Sequence, residues 1–321
     1  MWKMNSSKPP IWFRLSGLLL GPFLTTLFTN CSNIISAGLH IVYEPVELDT
    51  QFVHRDIPYW PGSDYDPRKH RLDLFLPDAE PGWPVMVFVH GGGWDAGDKD
   101  LKIGEDDVYG NIGRHFARRG IGVAVINYRL LPEVEWPDQV RDVARAVAWT
   151  YRNIAKYGGD PDQLYLSGHS AGAQLATWVA LDESYLRESD LPASIINGVV
   201  AVSGVGYDMV DQESFDLGID INYLISRFKR GEDDDNWQRE ASPIFHATSA
   251  APPFLIYYGE HEWIWLHHQN KILAEALVQA GTRAEIRVIE GEGHRRTVLS
   301  LSHPEKPLGE QIAEFVKGSA S

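Results

Sequence analysis

Gly168-His169-Ser170-Ala171-Gly172 follows the apolar run Leu164-Tyr165-Leu166 and opens a small-residue stretch of helical character. A serine on a sharp strand-to-helix turn sits on strained backbone, and the helix behind it must pack closely on the strand. Glycines at both flanks, having no Cβ, meet both demands. Upstream, a second apolar run, Val85-Met86-Val87-Phe88-Val89, ends in another glycine-rich turn, His90-Gly91-Gly92-Gly93-Trp94.

Outward from these two turns, β-rich apolar runs alternate with helical patterns from residue 52 onward. That alternation predicts an α/β fold: a mostly parallel sheet with helices on both faces. Eight strands are expected, over 52–60, 70–76, 84–90, 121–128, 163–168, 197–203, 253–258 and 284–290. The first two, joined by Pro61-Gly62-Ser63-Asp64 and Asp66-Pro67, read as a hairpin. A helix starting at Pro137-Asp138 carries Val140, Val143, Ala144, Val147, Tyr151 and Ile154 at helical spacing and ends at Tyr157-Gly158-Gly159. Further helices are expected at 107–119, 171–183, 265–280 and 305–317. The stretch 206–250 holds no convincing strand and carries the charge run Glu232-Asp233-Asp234-Asp235. An insertion there would sit over the carboxyl ends of the strands, where ligands bind in open sheets, so it reads as a small lid.

With 321 residues, 44% of them hydrophobic, the chain can bury roughly three quarters of its unfolded surface, enough for one large domain over 52–321. The formal net charge of -15, with no basic stripe, excludes nucleic acid as a partner. Residues 1–37 differ in kind and 38–51 read as a linker. Lys3, Lys8 and Arg14 are the only charges before Glu44, and an apolar stretch runs from Leu15 to Phe28. That stretch fits a secretory signal and is shorter than the roughly 20 residues a spanning helix needs. Export is expected, to the periplasm or beyond. Leu27-Phe28-Thr29-Asn30-Cys31 resembles a lipoprotein cleavage site except at Asn30, so lipid attachment at Cys31, cleavage after Ser36-Ala37 and an uncleaved membrane anchor stand as alternatives. A single cysteine forms no intrachain disulfide.

A serine hydroxyl needs a base to take its proton and a third group to orient that base. Downstream, Pro253-Phe254-Leu255-Ile256-Tyr257-Tyr258 runs into Gly259-Glu260-His261-Glu262, and Ile286-Arg287-Val288-Ile289 runs into Glu290-Gly291-Glu292-Gly293-His294. Two strand ends thus deliver a carboxylate and a histidine, with Glu260 and Glu262 both candidates for the acid. No HExxH or Cys/His ligand spacing occurs, and His267-His268 point in different directions on a predicted helix, so no metal is expected. The acidic run 232–235 lacks the calcium-loop pattern and reads as solvated.

These motifs, with Asn127-Tyr128-Arg129-Leu130, Gly158-Gly159-Asp160-Pro161 and Pro252-Pro253, give residues 52–317 a specific resemblance. The chain resembles α/β-hydrolases of the hormone-sensitive-lipase-like esterase group and their neighbours, which include feruloyl esterases, kynurenine formamidases and isoprenylcysteine methylesterases. The resemblance implies a serine hydrolase that cleaves a small-molecule carboxylic ester through an acyl-enzyme, without cofactor. Ser170 would be the nucleophile and His294 the base. The acid would lie three residues past Gly259, at Glu262, where aspartate is usual. The backbone N–H groups of Gly92, Gly93 and Ala171 would form an oxyanion hole. Trp94, His169 and Trp263 are the expected pocket residues, and His90 a structural part of the glycine loop. The alternatives are an arylformamidase-type amide hydrolase, in which an aromatic residue often replaces the third glycine, and a non-catalytic binding protein on the same scaffold.

Overall fold

The computed structural model describes residues 44–104 and 106–318. The leader assigned to 1–37, Cys31 with it, and the first linker residues 38–43 lie outside the described residues. The strands are β1 (Val53–Pro58), β2 (Arg71–Phe75), β3 (Trp83–Val89), β4 (Lys102–Ile103), β5 (Asp106–Asp107), β6 (Gly122–Ile126), β7 (Gly159–His169), β8 (Ile196–Val202), β9 (Phe254–Gly259) and β10 (Ala284–Ile289). Helices of seven residues or more are α1 (Val108–Ala117), α2 (Asp138–Asn153), α3 (Ala171–Leu181), α4 (Ile221–Phe228), α5 (Ile264–Gln279), α6 (His294–Ser300) and α7 (Leu308–Gly318).

Eight strands form one sheet in the order β1-β2-β6-β3-β7-β8-β9-β10. In this sheet β2 pairs antiparallel with both β1 and β6, and its other pairings are parallel. The continuous apolar runs follow from burial on both faces. Along β3, Val85, Val87 and Val89 enter a core shared with α2, α3 and α5, while Met86 and Phe88 enter a second core shared with α1, α6 and α7. From β3 the chain passes first to β6 on one side and then to β7 on the other. The strand order therefore reverses between β3 and β7, and the crevice at their carboxyl ends is where such a sheet takes a ligand.

All eight expected strands are present, with ends shifted by a few residues, and Gly158 ends the 3-10 turn Ile154–Tyr157 that follows α2, in the left-handed region at φ 97°. Two elements depart from expectation. The β4–β5 ladder is two residues long per strand, too short to show a period. No helix is expected over 294–300, yet His294, at the carboxyl end of the last strand, opens α6, capped by Gly293.

A buried carboxylate ties the sheet to its helices. Asp142 of α2 accepts from Arg129 Nε and Nη2 at 2.8 and 2.7 Å, from the Arg129 backbone N–H at 3.0 Å, and from Arg145 at 3.1 Å. The Asp66 N–H occupies His70 Nδ1, so His70 Nε2–H donates to Asp142 at 2.9 Å. Burial alone would raise the Asp142 pKa, but the hydrogen bonds of His70 and Arg129 and the charge of Arg129 hold it below its ordinary 3.8. Their stabilisation is complete above that value and is lost as the pH falls below it. Urea unfolding at neutral pH should find Asp142→Asn less stable by about 3–5 kcal/mol. The deficit should shrink below pH 3.8, and a deficit that stays constant in acid would contradict this account.

Candidate active site

β7 carries Ser170 to the carboxyl edge of the sheet, and α3 begins at the next residue. Ser170 has φ 55° and ψ -123°, a conformation that costs a non-glycine residue about 1–3 kcal/mol. Its surroundings enforce it. The Ser170 N–H donates to the Val202 carbonyl of β8 at 2.9 Å. A Cβ on Gly168 would collide with the Gly172 carbonyl, and one on Gly172 with the carbonyls of Val89 and His90. Both flanking glycines are thus required by the closeness of α3 to β7 and to the end of β3.

His294 Nε2 lies 2.9 Å from Ser170 Oγ, and His294 Nδ1 lies 3.0 Å from Glu262 Oε1. An ionised carboxylate only accepts, so Nδ1 carries the hydrogen and Nε2 is left to accept from the serine. The Glu262 side chain is fully buried, and its Oε2 meets no hydrogen-bond partner among the described residues. Glu260 is exposed and accepts the Gly291 N–H at 2.9 Å. The carboxylate at the imidazole is therefore that of Glu262.

His169 is buried beside the serine. Burial, followed by the charge of His294, pushes its pKa down to about 3, so the ring is neutral. Its Nε2–H donates to the His294 carbonyl at 2.9 Å, and Thr297 Oγ1 donates to the same carbonyl at 2.8 Å. The start of α6, and with it the imidazole of His294, is held from two sides.

The glycine loop is fixed as firmly. Gly92 and Gly93 have φ 133° and 60°, and a Cβ on Gly92 would collide with the Ala96 carbonyl. Trp94 is 1% exposed; its Nε1–H donates to Gln174 of α3 at 3.0 Å, and its carbonyl accepts from Leu131 N–H at 3.0 Å and Gln139 Nε2 at 2.6 Å. His90 donates through Nδ1 to the Gly91 carbonyl at 2.7 Å and stacks on Tyr128. Burial pushes its pKa down to about 4, in keeping with a structural role. The N–H groups of Gly92, Gly93 and Ala171 find no acceptor among the described residues, although Ala171 is fully buried. A buried donor such as that of Ala171 is seldom left unpaired, and Gly92 is exposed and Gly93 half-buried, so all three are open to a ligand oxygen.

A cavity of about 850 Å³ opens onto Ser170, with mostly apolar walls that include Leu101, Val108, Trp94, Ile219, His169 and Trp263. Trp263 is 57% exposed at its rim, stacks on Trp265 with ring centroids 5.7 Å apart, and lies 5.4 Å from the His294 ring. Within 206–250, α4 lies between the single turns Gln212–Asp216 and Trp237–Glu240, and its Tyr223 and Leu224 line the cavity. Asp234 pairs with Arg230, while Glu232, Asp233 and Asp235 contact no cation among the described residues. His267 Nε2 donates to the Gly259 carbonyl and His268 Nε2 lies 2.9 Å from Asp211, so the two rings diverge. Among the described residues no cluster of three His, Cys, Asp or Glu side chains could hold a metal ion.

Sequence reasoning missed Gln174, Tyr223 and Arg227. Arg227 Nε donates to the Gly93 carbonyl at 3.1 Å and its guanidinium pairs with Asp95, joining α4 to the glycine loop. The signal was present: Asp220 caps α4, Leu224 and Phe228 form its buried stripe, and Tyr223 and Arg227 stand four residues apart on another face.

The model of the BD-FAE family matches residues 72–277. The chain is 31% identical over 269 residues to the esterase LipQ of Mycobacterium tuberculosis, covering 81% of this chain and 61% of that protein. It is 29% identical over 251 residues to the isoprenylcysteine α-carbonyl methylesterase of Arabidopsis thaliana, covering 74% of this chain and 56% of that one. It thus spans somewhat over half the length of these relatives. In three dimensions it is similar to an esterase from Pyrobaculum calidifontis, with a TM-score of 0.65, 23% identity and 88% of each chain covered.

The contact at Gly172 can be tested directly. A methyl group there must push α3 off β3, and such overpacking costs about 1–3 kcal/mol. Gly172→Ala should lower the urea midpoint and the rate at which a fluorophosphonate labels Ser170. Parent-like values for both would show that the close approach is dispensable.

Proposed function

The chain belongs to the BD-FAE family, and from that premise we propose that it is a serine hydrolase that cleaves carboxylic esters through an acyl-enzyme. The observation that carries the proposal is the unbroken chain of contacts from Ser170 Oγ through His294 to Glu262, with three N–H groups without acceptors at its Ser170 end. The names of the curated relatives, an esterase and a methylesterase, support the same reaction class.

Each step follows from the donors and acceptors present. Ser170 Oγ attacks the ester carbonyl carbon while His294 Nε2 takes its proton. Glu262 holds Nδ1–H, keeps the ring in the right tautomer and stabilises the imidazolium. The carbonyl oxygen, now negative, accepts from the N–H groups of Gly92, Gly93 and Ala171; each such donor is worth about 10²–10³ in turnover. Collapse breaks the bond to the alkoxy oxygen, which leaves as an alcohol with the proton from His294. A water then repeats the sequence on the acyl-enzyme, releasing the acid and freeing Ser170. The apolar walls suit an apolar acyl or alcohol group, and α4 with its flanking turns serves as the lid over it. We also assign the enzyme to an exported location, on the strength of the pattern in residues 1–37.

The full chain should hydrolyse short-chain p-nitrophenyl esters, and Ser170→Ala should abolish the activity. Glu262→Gln should lower kcat by orders of magnitude, while Glu260→Gln should stay close to the parent. Undiminished hydrolysis by Ser170→Ala would remove the mechanism, and a larger loss in Glu260→Gln would reassign the acid. For the location, the intact mass of protein recovered from a secreting bacterium should match cleavage near Ala37 or a lipidated Cys31. Unprocessed protein free in the cytoplasm would overturn it.

A further inference from the structure

One side chain at the oxyanion loop has no part in the mechanism above. Tyr223 reaches from α4 to Gly93 with its hydroxyl leading: a Cβ on Gly93 would fall 2.5 Å from Tyr223 Oη but 3.8 Å from Cζ. The absent side chain of the third glycine is what admits the phenol. Tyr223 lines the cavity that opens on Ser170, and its ring lies 6.4 Å from that of Trp94.

The ring is held in place by Arg227, four residues on. The Arg227 guanidinium carbon sits 3.6 Å from the Tyr223 ring centroid, while Nη1 donates to the Tyr223 carbonyl at 3.3 Å and Nε to the Gly93 carbonyl at 3.1 Å. One cation thus fixes both the tyrosine and the glycine loop it approaches. A guanidinium has donors only, so it can engage the phenolic oxygen but never its proton. Burial raises the Tyr223 pKa, partly offset by Arg227, which keeps the hydroxyl protonated at working pH. The hydrogen is left for a ligand.

We propose that Tyr223 is a further catalytic residue, whose hydroxyl donates a hydrogen bond to the substrate carbonyl oxygen beside the N–H of Gly93. Arg227 is its positioning residue. The inference rests on the ester-hydrolase proposal and deepens it: the oxyanion site is completed by the insertion and not by the sheet scaffold alone. A donor aimed at the oxygen as it becomes negative raises kcat more than it tightens ground-state binding.

The test compares the full chain with Tyr223→Phe, which keeps the ring and its stacking on Arg227, using a p-nitrophenyl ester and the matching thionoester. Sulfur is a poor hydrogen-bond acceptor, so a donor to the carbonyl position loses its effect on the thionoester. The expected result is an unchanged melting temperature, a fall in kcat of about tenfold or more on the oxoester, little change in KM, and a much smaller fall on the thionoester. Arg227→Gln should show the same bias towards the oxoester. A Tyr223→Phe kcat within twofold of the parent, or equal losses on the two esters, overturns the role of Tyr223 and leaves the hydrolase mechanism standing. A parent chain inert towards every ester would overturn that mechanism and this inference with it.

Discussion

The close approach of α3 to the ends of β3 and β7 governs the rest of the site. Gly168 and Gly172 let backbone meet backbone where any side chain would intervene, and the turn so formed holds Ser170 at a positive φ. The same helix presents Gln174 to the Trp94 indole. Ser170 and the glycine loop are therefore mounted on one packed contact, and a displacement of α3 would move both. Strain at Ser170 persists because several independent contacts over-determine it, among them the Val202 carbonyl on the neighbouring strand.

The glycine loop is held from two directions. From the scaffold, Leu131, Gln139 and Gln174 engage Trp94; from the insertion, Arg227 engages Gly93 and Asp95. Donors fixed before the substrate arrives need no reorganisation when charge develops, which is the condition under which an oxyanion site is most effective. The insertion therefore helps to fix the glycine loop. Pulling α4 away to admit a bulky ligand would release the Gly93 carbonyl, whereas the rim at Trp263 and Trp265 carries no hydrogen bond to that loop among the described residues. Entry past the tryptophans leaves the donors undisturbed.

Much of this was legible in the sequence because burial on both faces writes parallel strands as continuous apolar runs. Val85–Val89, Leu164–Leu166 and Phe254–Tyr258 all lie in the central sheet. The helix 138–153 announced itself by its spacing and by Gly158. Between Glu260 and Glu262, residue spacing alone could not choose, because the two stand two apart on a turn without a period. The choice is made by long-range pairing: the His261 N–H donates to the Glu292 carbonyl, so the turn folds against the loop before α6, and one carboxylate faces His294 while the other faces Gly291. The Asp142 cluster was illegible for a similar reason. His70, Arg129 and Asp142 come from three separate segments, and only the closed sheet brings them together.

Two imidazoles, His169 and His294, stand beside Ser170 and a third, His90, lies in the glycine loop; their environments differ in what they offer a proton. Burial dominates for His90 and His169, holding them near 4 and 3, and each spends an N–H on a backbone carbonyl. Neither has a carboxylate within hydrogen-bond reach. Protonating either would place a bare charge in a dry site, at a cost of several kcal/mol. His294 alone has a buried carboxylate on its far nitrogen, and that carboxylate has no other hydrogen-bond partner among the described residues. In the proposed mechanism the proton of Ser170 therefore goes to His294, the one of the three rings held by a carboxylate. The neutral His169 contributes by position: it holds the His294 carbonyl without competing for the proton.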